Sequence, residues 1–291
     1  MTSPSPPWLG AALAREPRSV VTTVDGVDHH RLEWGTLGCP VLVVLHGGGA
    51  HAGWWSAVAG LLADRWHVVA LDMVGHGRSS HLDRYSFTGW VDQVMAVVEE
   101  VGGPSPVVVG HSMCGVVAAM VGAAHGDRLG GVVVVDTPLD IPPPESIGHA
   151  EQIMAARRYA SSAEALTRRF RLLPAQPVVH PSLLAHLAAH AVVEHAEGWT
   201  WAFDPALFVG HPPDRPGDVG VVLESARCPA TVIVADDSPV VPVEQRDRLT
   251  HMAAADPDLE LLVEPGHHHL MLDHPCDLAD ILSRLASAYR R

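Results

Sequence analysis

The stretch Val107-Val108-Val109-Gly110-His111-Ser112-Met113-Cys114-Gly115 decides how this chain is read. Its apolar, β-branched run predicts a buried strand, Gly110-His111-Ser112 a sharp turn, and Val116-Val117-Ala118-Ala119-Met120 a small-residue helix. A serine at the apex of such a unit has its hydroxyl pushed clear of the sheet. The first turn of the helix leaves backbone N–H groups free for an oxyanion. Ser112 is therefore the candidate nucleophile. Cys114 stands where a Gly-x-Ser-x-Gly pattern has its last glycine, and a buried thiol there adds volume to a tight contact. Overpacking of that kind costs about 1–3 kcal/mol unless neighbours shrink.

Outward from this unit, strands and helices alternate. Val41–Leu45 and His67–Leu71 precede it as buried strands, the first running into His46-Gly47-Gly48-Gly49. Trp54–Asp64 reads as a helix, and so does Ser86–Val101, where Val91, Val94, Val97, Val98 and Val101 recur at helical spacing before Gly102-Gly103-Pro104. Ser19–Val24 and Val27–Trp34, joined at Asp25-Gly26, predict an edge hairpin. Gly131–Val135 is a further strand with Asp136 at its carboxyl end. The alternation predicts a doubly wound, mostly parallel α/β sheet of eight strands, whose ligands bind outside the strands' carboxyl ends. Gly48, Ser112 and Asp136 all fall there.

The pattern then changes. Residues 137–226 open on Pro142-Pro143-Pro144 and hold no convincing buried strand. Glu145–Tyr159, Ser161–Leu173 and Pro181–Glu197 read as three helices, followed by Gly198-Trp199-Thr200-Trp201-Ala202-Phe203. This predicts a helical cap inserted into a core of 1–136 and 227–291. Thr231–Ala235 and Leu259–Val263 resume the sheet, and Cys276–Tyr289 closes it with a helix.

Composition bounds the partners. The 291 residues, 47% of them hydrophobic, suffice for one large domain or a core with a subdomain. A formal charge of −14 with only 19 Lys+Arg argues against a nucleic-acid surface, because phosphate binding needs clustered cations. Met1–Gly10 has neither a basic start nor an apolar h-region, and no apolar run is long enough to span a bilayer. The expectation is a soluble cytoplasmic protein, monomeric or homodimeric, with a small-molecule partner. Cys39, Cys114, Cys228 and Cys276 form no C-x-x-C pair and read as free thiols.

HGGGAHAGWW (46–55), LDMVGHGRS (71–79), GHSMCG (110–115), CPATVIVADDSPVVP (228–242) and PGHHHLMLDHP (265–275) together resemble the α/β-hydrolase fold family, in that family's order and over nearly the whole chain. The resemblance implies Ser112 as nucleophile, with the N–H groups of Gly48 and Met113 as the oxyanion hole. It places the base at His268, counted back from His274-Pro275, between His267 and His269. In much of the family the acid precedes the proline of a D-P-x-V-P-like segment, but here Ser238 holds that place, after Asp236-Asp237. Some relatives supply the acid from the end of the strand after the nucleophile helix, which implies Asp136, with Asp237 and then Asp236 as alternatives.

Gly47, His111, Trp199 and Trp201 are the candidate substrate-contacting residues. A metal site on His267-His268-His269 is not expected, since adjacent residues point in different directions and no further ligand stands at suitable spacing. Asp72, His76 and Arg78 read as loop-fixing. The whole implies a cofactor-independent serine hydrolase acting on an apolar ester or lactone. A carbon–carbon bond hydrolase of ring-fission diketones and a non-catalytic ligand-binding relative are the alternatives.

Overall fold

Runs of Val and Leu with no polar interruption must be covered on both faces, and this requirement builds the sheet. The computed structural model describes residues 6–140, 160–177, 180–208, 212 and 214–289. Its strands are β1 (Arg18–Val24), β2 (Val27–Trp34), β3 (Val41–Leu45), β4 (His67–Leu71), β5 (Val107–His111), β6 (Gly131–Val135), β7 (Val192–His195), β8 (Gly198–Trp201), β9 (Ala230–Ala235) and β10 (Leu259–Glu264). Eight of them form one sheet in the order β1-β2-β4-β3-β5-β6-β9-β10, while β7 and β8 pair separately. β2 is antiparallel to both β1 and β4, and every other pairing in the large sheet is parallel.

Every residue of β3, β4, β5, β6 and β9 is buried. The two-residue period sorts their side chains between two cores. Leu42 and Val44 join the core completed by α1 (Pro7–Leu13), α2 (Ser56–Leu62) and the helix Pro275–Ala288. Val41, Val43 and Leu45 join the other, completed by α3 (Phe87–Val101), α4 (Met113–His125) and the helix Val243–Ala255. Ser86 caps α3 by accepting from Gly89 N–H, and Gly102, at φ 63°, ends it. Among the described residues no helix is long and apolar enough to cross a membrane.

The inserted region departs from the helical expectation. Ser161–Leu173 is helical only over Ala163–Thr167. Beyond it, Phe170 and Leu172 turn inward while Arg169, Arg171 and Leu173 stay outside, an alternation that belongs to extended chain. Pro181–Glu197 is helical only to His190, because β-branched Val192-Val193 and Trp199-Thr200-Trp201 pair as the hairpin β7–β8 about Ala196-Glu197. Trp54–Asp64 begins as a 3₁₀ turn, Ala52–Trp55, before α2. Glu145–Tyr159 lies outside the described residues.

Much of the histidine content is internal. His46, His51, His76, His111 and His269 are all buried, and burial lowers each proton affinity, to about 3 for His51 and His269. Buried carboxylates lie on the same side of the balance. Burial alone raises Glu33 and Asp72, but hydrogen bonds from His67, Arg18 and Arg31 to Glu33, and from His30 to Asp72, hold both at about 2. All these groups bind fewer protons folded than unfolded. Stability is therefore greatest above pH 6.5, falls as the histidines of the unfolded chain titrate, and falls further below pH 4 as its carboxylates do. Each histidine contributes up to about 1.4 kcal/mol per pH unit below 6.5. Urea unfolding at pH 7.5, 6.5 and 5.5 should show a loss of about 2 kcal/mol or more over the last unit. A flat profile over that range would contradict the buried-neutral assignment.

Candidate active site

Ser112 follows β5 directly and stands at the N-terminal boundary of α4 with φ 54° and ψ −121°, a left-handed conformation that a non-glycine residue adopts only under constraint. Three hydrogen bonds hold it there. Its N–H donates to Val135 O at 3.0 Å, and its carbonyl accepts from Gly115 N–H at 2.9 Å and Thr137 Oγ1 at 3.0 Å. The turn is tight enough to demand glycine on both sides. A Cβ on Gly110 would lie 2.0 Å from Cys114 O, and one on Gly115 would lie 1.9 Å from Thr137 Oγ1. The close approach expected at the motif's last glycine thus occurs one residue later, at Gly115. Cys114 instead packs wholly buried in the α3–α4 core, where burial raises its thiol pKa and keeps it protonated.

His268 reaches this serine from the loop after β10. Its Nε2 lies 3.0 Å from Ser112 Oγ, and its Nδ1 lies 2.7 Å from Asp136 Oδ2. Asp136 follows β6 directly, also with positive φ (43°), and is fully buried. Its Oδ1 accepts from Ala235 N–H at 2.9 Å, and its Oδ2 also accepts from Ser238 Oγ at 2.7 Å. Ser238 Oγ in turn accepts from Val240 and Val241 N–H, so its own proton is directed at Asp136. The structure brings neither alternative carboxylate to His268. Asp237, with its side chain 82% exposed, pairs with His267 Nε2 at 3.3 Å, and Asp236 accepts from Gly266 N–H at 2.9 Å.

The glycine loop after β3 lies against the serine. A Cβ on Gly47 would be 3.2 Å from Ser112 Cβ, and one on Gly48 would be 3.5 Å from Met113 Sδ. Gly48 and Met113 therefore sit side by side, and Met113, the first residue of α4, has no intrahelical acceptor for its N–H. Behind the loop, His46 Nδ1–H donates to Gly47 O at 2.7 Å while its Nε2 accepts from Met73 N–H at 3.2 Å. His76 Nε2 accepts from Gly49 N–H. Asp72 accepts from Ala52 and Arg78 N–H, and a Cβ on Gly77 would sit 2.0 Å from its carboxyl carbon.

A cavity of about 290 Å³ opens on Ser112, His268, Gly48 and Met113. Its further walls are apolar, chiefly Phe87 and Trp90 from α3 and Leu173, Leu207 and Phe208 from the inserted region, with Arg215 among the lining residues. Phe203 and Phe208 overhang the glycine loop because Gly77 N–H donates to Ala202 O and Asp204 N–H to Gly75 O. None of the four substrate-contacting candidates lines this cavity. Gly47 is pressed against His111 and Ser112, while His111 is buried, its Nε2–H donating to His268 O at 2.9 Å. Trp199 and Trp201 point along one face of β8, where Trp199 pairs its backbone with Ala160 and Trp201 packs 6.3 Å from Phe170. Phe87 and Trp90 share a helical face at i and i+3, a spacing that marks them for burial but carries no sign of the cavity they border.

A model of the alpha/beta hydrolase family matches residues 42–281. The Acinetobacter calcoaceticus bifunctional esterase/perhydrolase DCH is 40% identical over 97 residues, 33% of this chain and 35% of that protein. The pimeloyl-[acyl-carrier protein] methyl ester esterase of Chromobacterium violaceum is 28% identical over 207 residues, 70% of this chain and 78% of its own length. The chain spans about a third of the length of the curated relatives it matches at 39–40% identity. Among solved structures, E-2-(acetamidomethylene)succinate hydrolase superposes with a TM-score of 0.78 at 17% identity, covering 94% of this chain and all of that one. That last likeness is one of fold.

Proposed function

The chain belongs to the alpha/beta hydrolase family, and on that premise we propose that it is a serine hydrolase that cleaves a small carboxylic ester or lactone with an apolar acyl or alcohol part. The observation that carries this reading is the unbroken contact from Ser112 Oγ through His268 to the buried Asp136 carboxylate. A base 3.0 Å from a serine hydroxyl is within proton-transfer reach, and a carboxylate at its other nitrogen fixes the tautomer with the lone pair on Nε2.

In this mechanism His268 takes the Ser112 proton as Oγ attacks the carbonyl carbon, and the N–H groups of Gly48 and Met113 receive the oxyanion. Each such donor contributes about 3 kcal/mol to lowering the barrier. Collapse expels the alcohol, protonated by His268, and leaves an acyl-Ser112. Water activated by His268 then releases the acid and restores the serine. The apolar substrate class follows from Phe87, Trp90, Leu207 and Phe208 around the nucleophile. We read residues 137–226 as a cap on the core of 1–136 and 227–291, supported by the contribution of Leu173, Leu207 and Phe208 to that wall.

The test is covalent. A fluorophosphonate probe should add one phosphonyl group to the protein, located by peptide mass spectrometry on Ser112. A protein that binds hydrophobic esters yet gives no adduct would instead be a ligand-binding member of the family.

A further inference from the structure

The histidines around the candidate base form an arrangement that hydrolysis does not require. One ring nitrogen from each of His111, His268 and His269 lies within 4.8 Å of the others, and all three residues are buried. Among the described residues His111 Nδ1 has no hydrogen-bond partner, and the His269 ring makes no well-aligned hydrogen bond although the Leu173 and Pro174 backbone lies near enough to raise its proton affinity. Buried polar atoms are nearly always paired, so an unpaired buried nitrogen beside two further imidazoles calls for an explanation. His267 has no share in it, because its ring is turned to Asp273 and Asp237. The third imidazole comes from β5 instead, so only His268 and His269 are neighbours in sequence, and their ring centroids lie 4.7 Å apart.

We propose that His111, His268 and His269 form a binding site for a borderline divalent cation, Zn²⁺ or Cu²⁺, whose occupation withdraws His268 from Ser112. Imidazole nitrogens are ordinary ligands of both ions. The outer bonds are already those of metal-ligating histidines. His268 directs Nδ1 at Asp136 and His111 directs Nε2–H at a backbone carbonyl, which leaves His268 Nε2 and His111 Nδ1 as the lone-pair nitrogens. Gly47 keeps a side chain out of the contact with His111, since a Cβ there would lie only 3.0 Å from Nδ1. Bonds of about 2.0–2.1 Å to one ion require the donors to close to roughly 3.4 Å. His269, packed at 5.0 Å against Trp54 and beside the Leu173 and Pro174 backbone, is the ring that must shift to close this distance. With Nε2 of His268 on the cation, Ser112 has no base, and the ion acts as a reversible inhibitor.

The binding arm is independent of the proposed hydrolysis. Zn²⁺ titrated calorimetrically into the full-length protein should fill one site in the micromolar range or tighter, and His269→Phe should weaken it at least about tenfold. His190→Gln, which breaks the separate His186/His190 pair on another helix, should leave it intact. Co²⁺ added to the wild type should give the visible absorption of imidazole-bound cobalt, a readout that needs no variant to fold, and His269→Gln should remove it. In the kinetic arm, Zn²⁺ should slow fluorophosphonate labelling of Ser112 over the same concentrations, each variant being compared with its own metal-free rate. Equal Zn²⁺ affinity in wild type and His269→Phe, or no cobalt absorption in the wild type, would overturn the proposal. Zinc binding without any Ser112 labelling would overturn the hydrolase reading and leave the metal site standing.

Discussion

Ser112→Ala is expected to lower kcat for p-nitrophenyl butyrate by at least about 10⁴-fold, with the fold unchanged. The size follows from what the hydroxyl alone supplies. Without Oγ no acyl-enzyme forms, and the residual reaction is attack by water assisted by oxyanion donors and binding, a contribution of about 10³–10⁴ over the uncatalysed rate in serine hydrolases. Preservation of the fold follows from the hydrogen bonds at this residue, since Val135, Gly115 and Thr137 all bind its backbone and none needs the side chain. Alanine inherits the left-handed conformation that this backbone imposes. Circular dichroism and thermal unfolding should therefore match the wild type while turnover is lost. A fall smaller than about tenfold would show that the hydrolysis runs through another nucleophile.

Ser112 was legible in the sequence because its whole context is local. A β-branched run, a glycine turn and a small-residue helix occupy one short segment, and each piece has its own signature. The order of the large sheet was legible for a related reason, since strands buried on both faces tolerate no polar interruption. The inserted region failed on the same terms. Phe170 and Leu172 alternate with arginines over too few residues to outweigh a helix-forming composition, and Val192-Val193 follows a genuine helix without a break. Trp199 and Trp201 stand out as large aromatics, yet Trp201 packs on Phe170 and Trp199 pairs its backbone with Ala160. Phe87 and Trp90, which do border the cavity, were hidden in the first turn of a helix otherwise read for its valines. The partnership of His111 with His268 and His269 spans 157 residues and has no local signature.

Among the carboxylates the largest effect is expected at Asp136. Asp136→Asn should cost about 10⁴ in kcat, whereas Asp237→Asn should stay within about twofold of wild type. The difference is set by the hydrogen-bond inventory around each group. Asp136 is surrounded by donors only: Ala235 N–H on Oδ1, and Ser238 O–H and the His268 ring on Oδ2. An asparagine amide has one oxygen and one NH₂ to offer. The fixed backbone N–H of Ala235 claims the oxygen, so the NH₂ faces His268 and forces the tautomer that carries its proton on Nε2. That imidazole cannot accept the Ser112 proton, however well the ring is placed. Ser238, which stands where much of the family carries its acid, bonds to the carboxylate instead of replacing it. Asp237, mostly exposed and paired with His267, has no such position to lose. Comparable activity in the two variants, each verified as folded by its thermal transition, would remove Asp136 from the mechanism. Loss in Asp237→Asn alone would transfer the acid to the β9 loop.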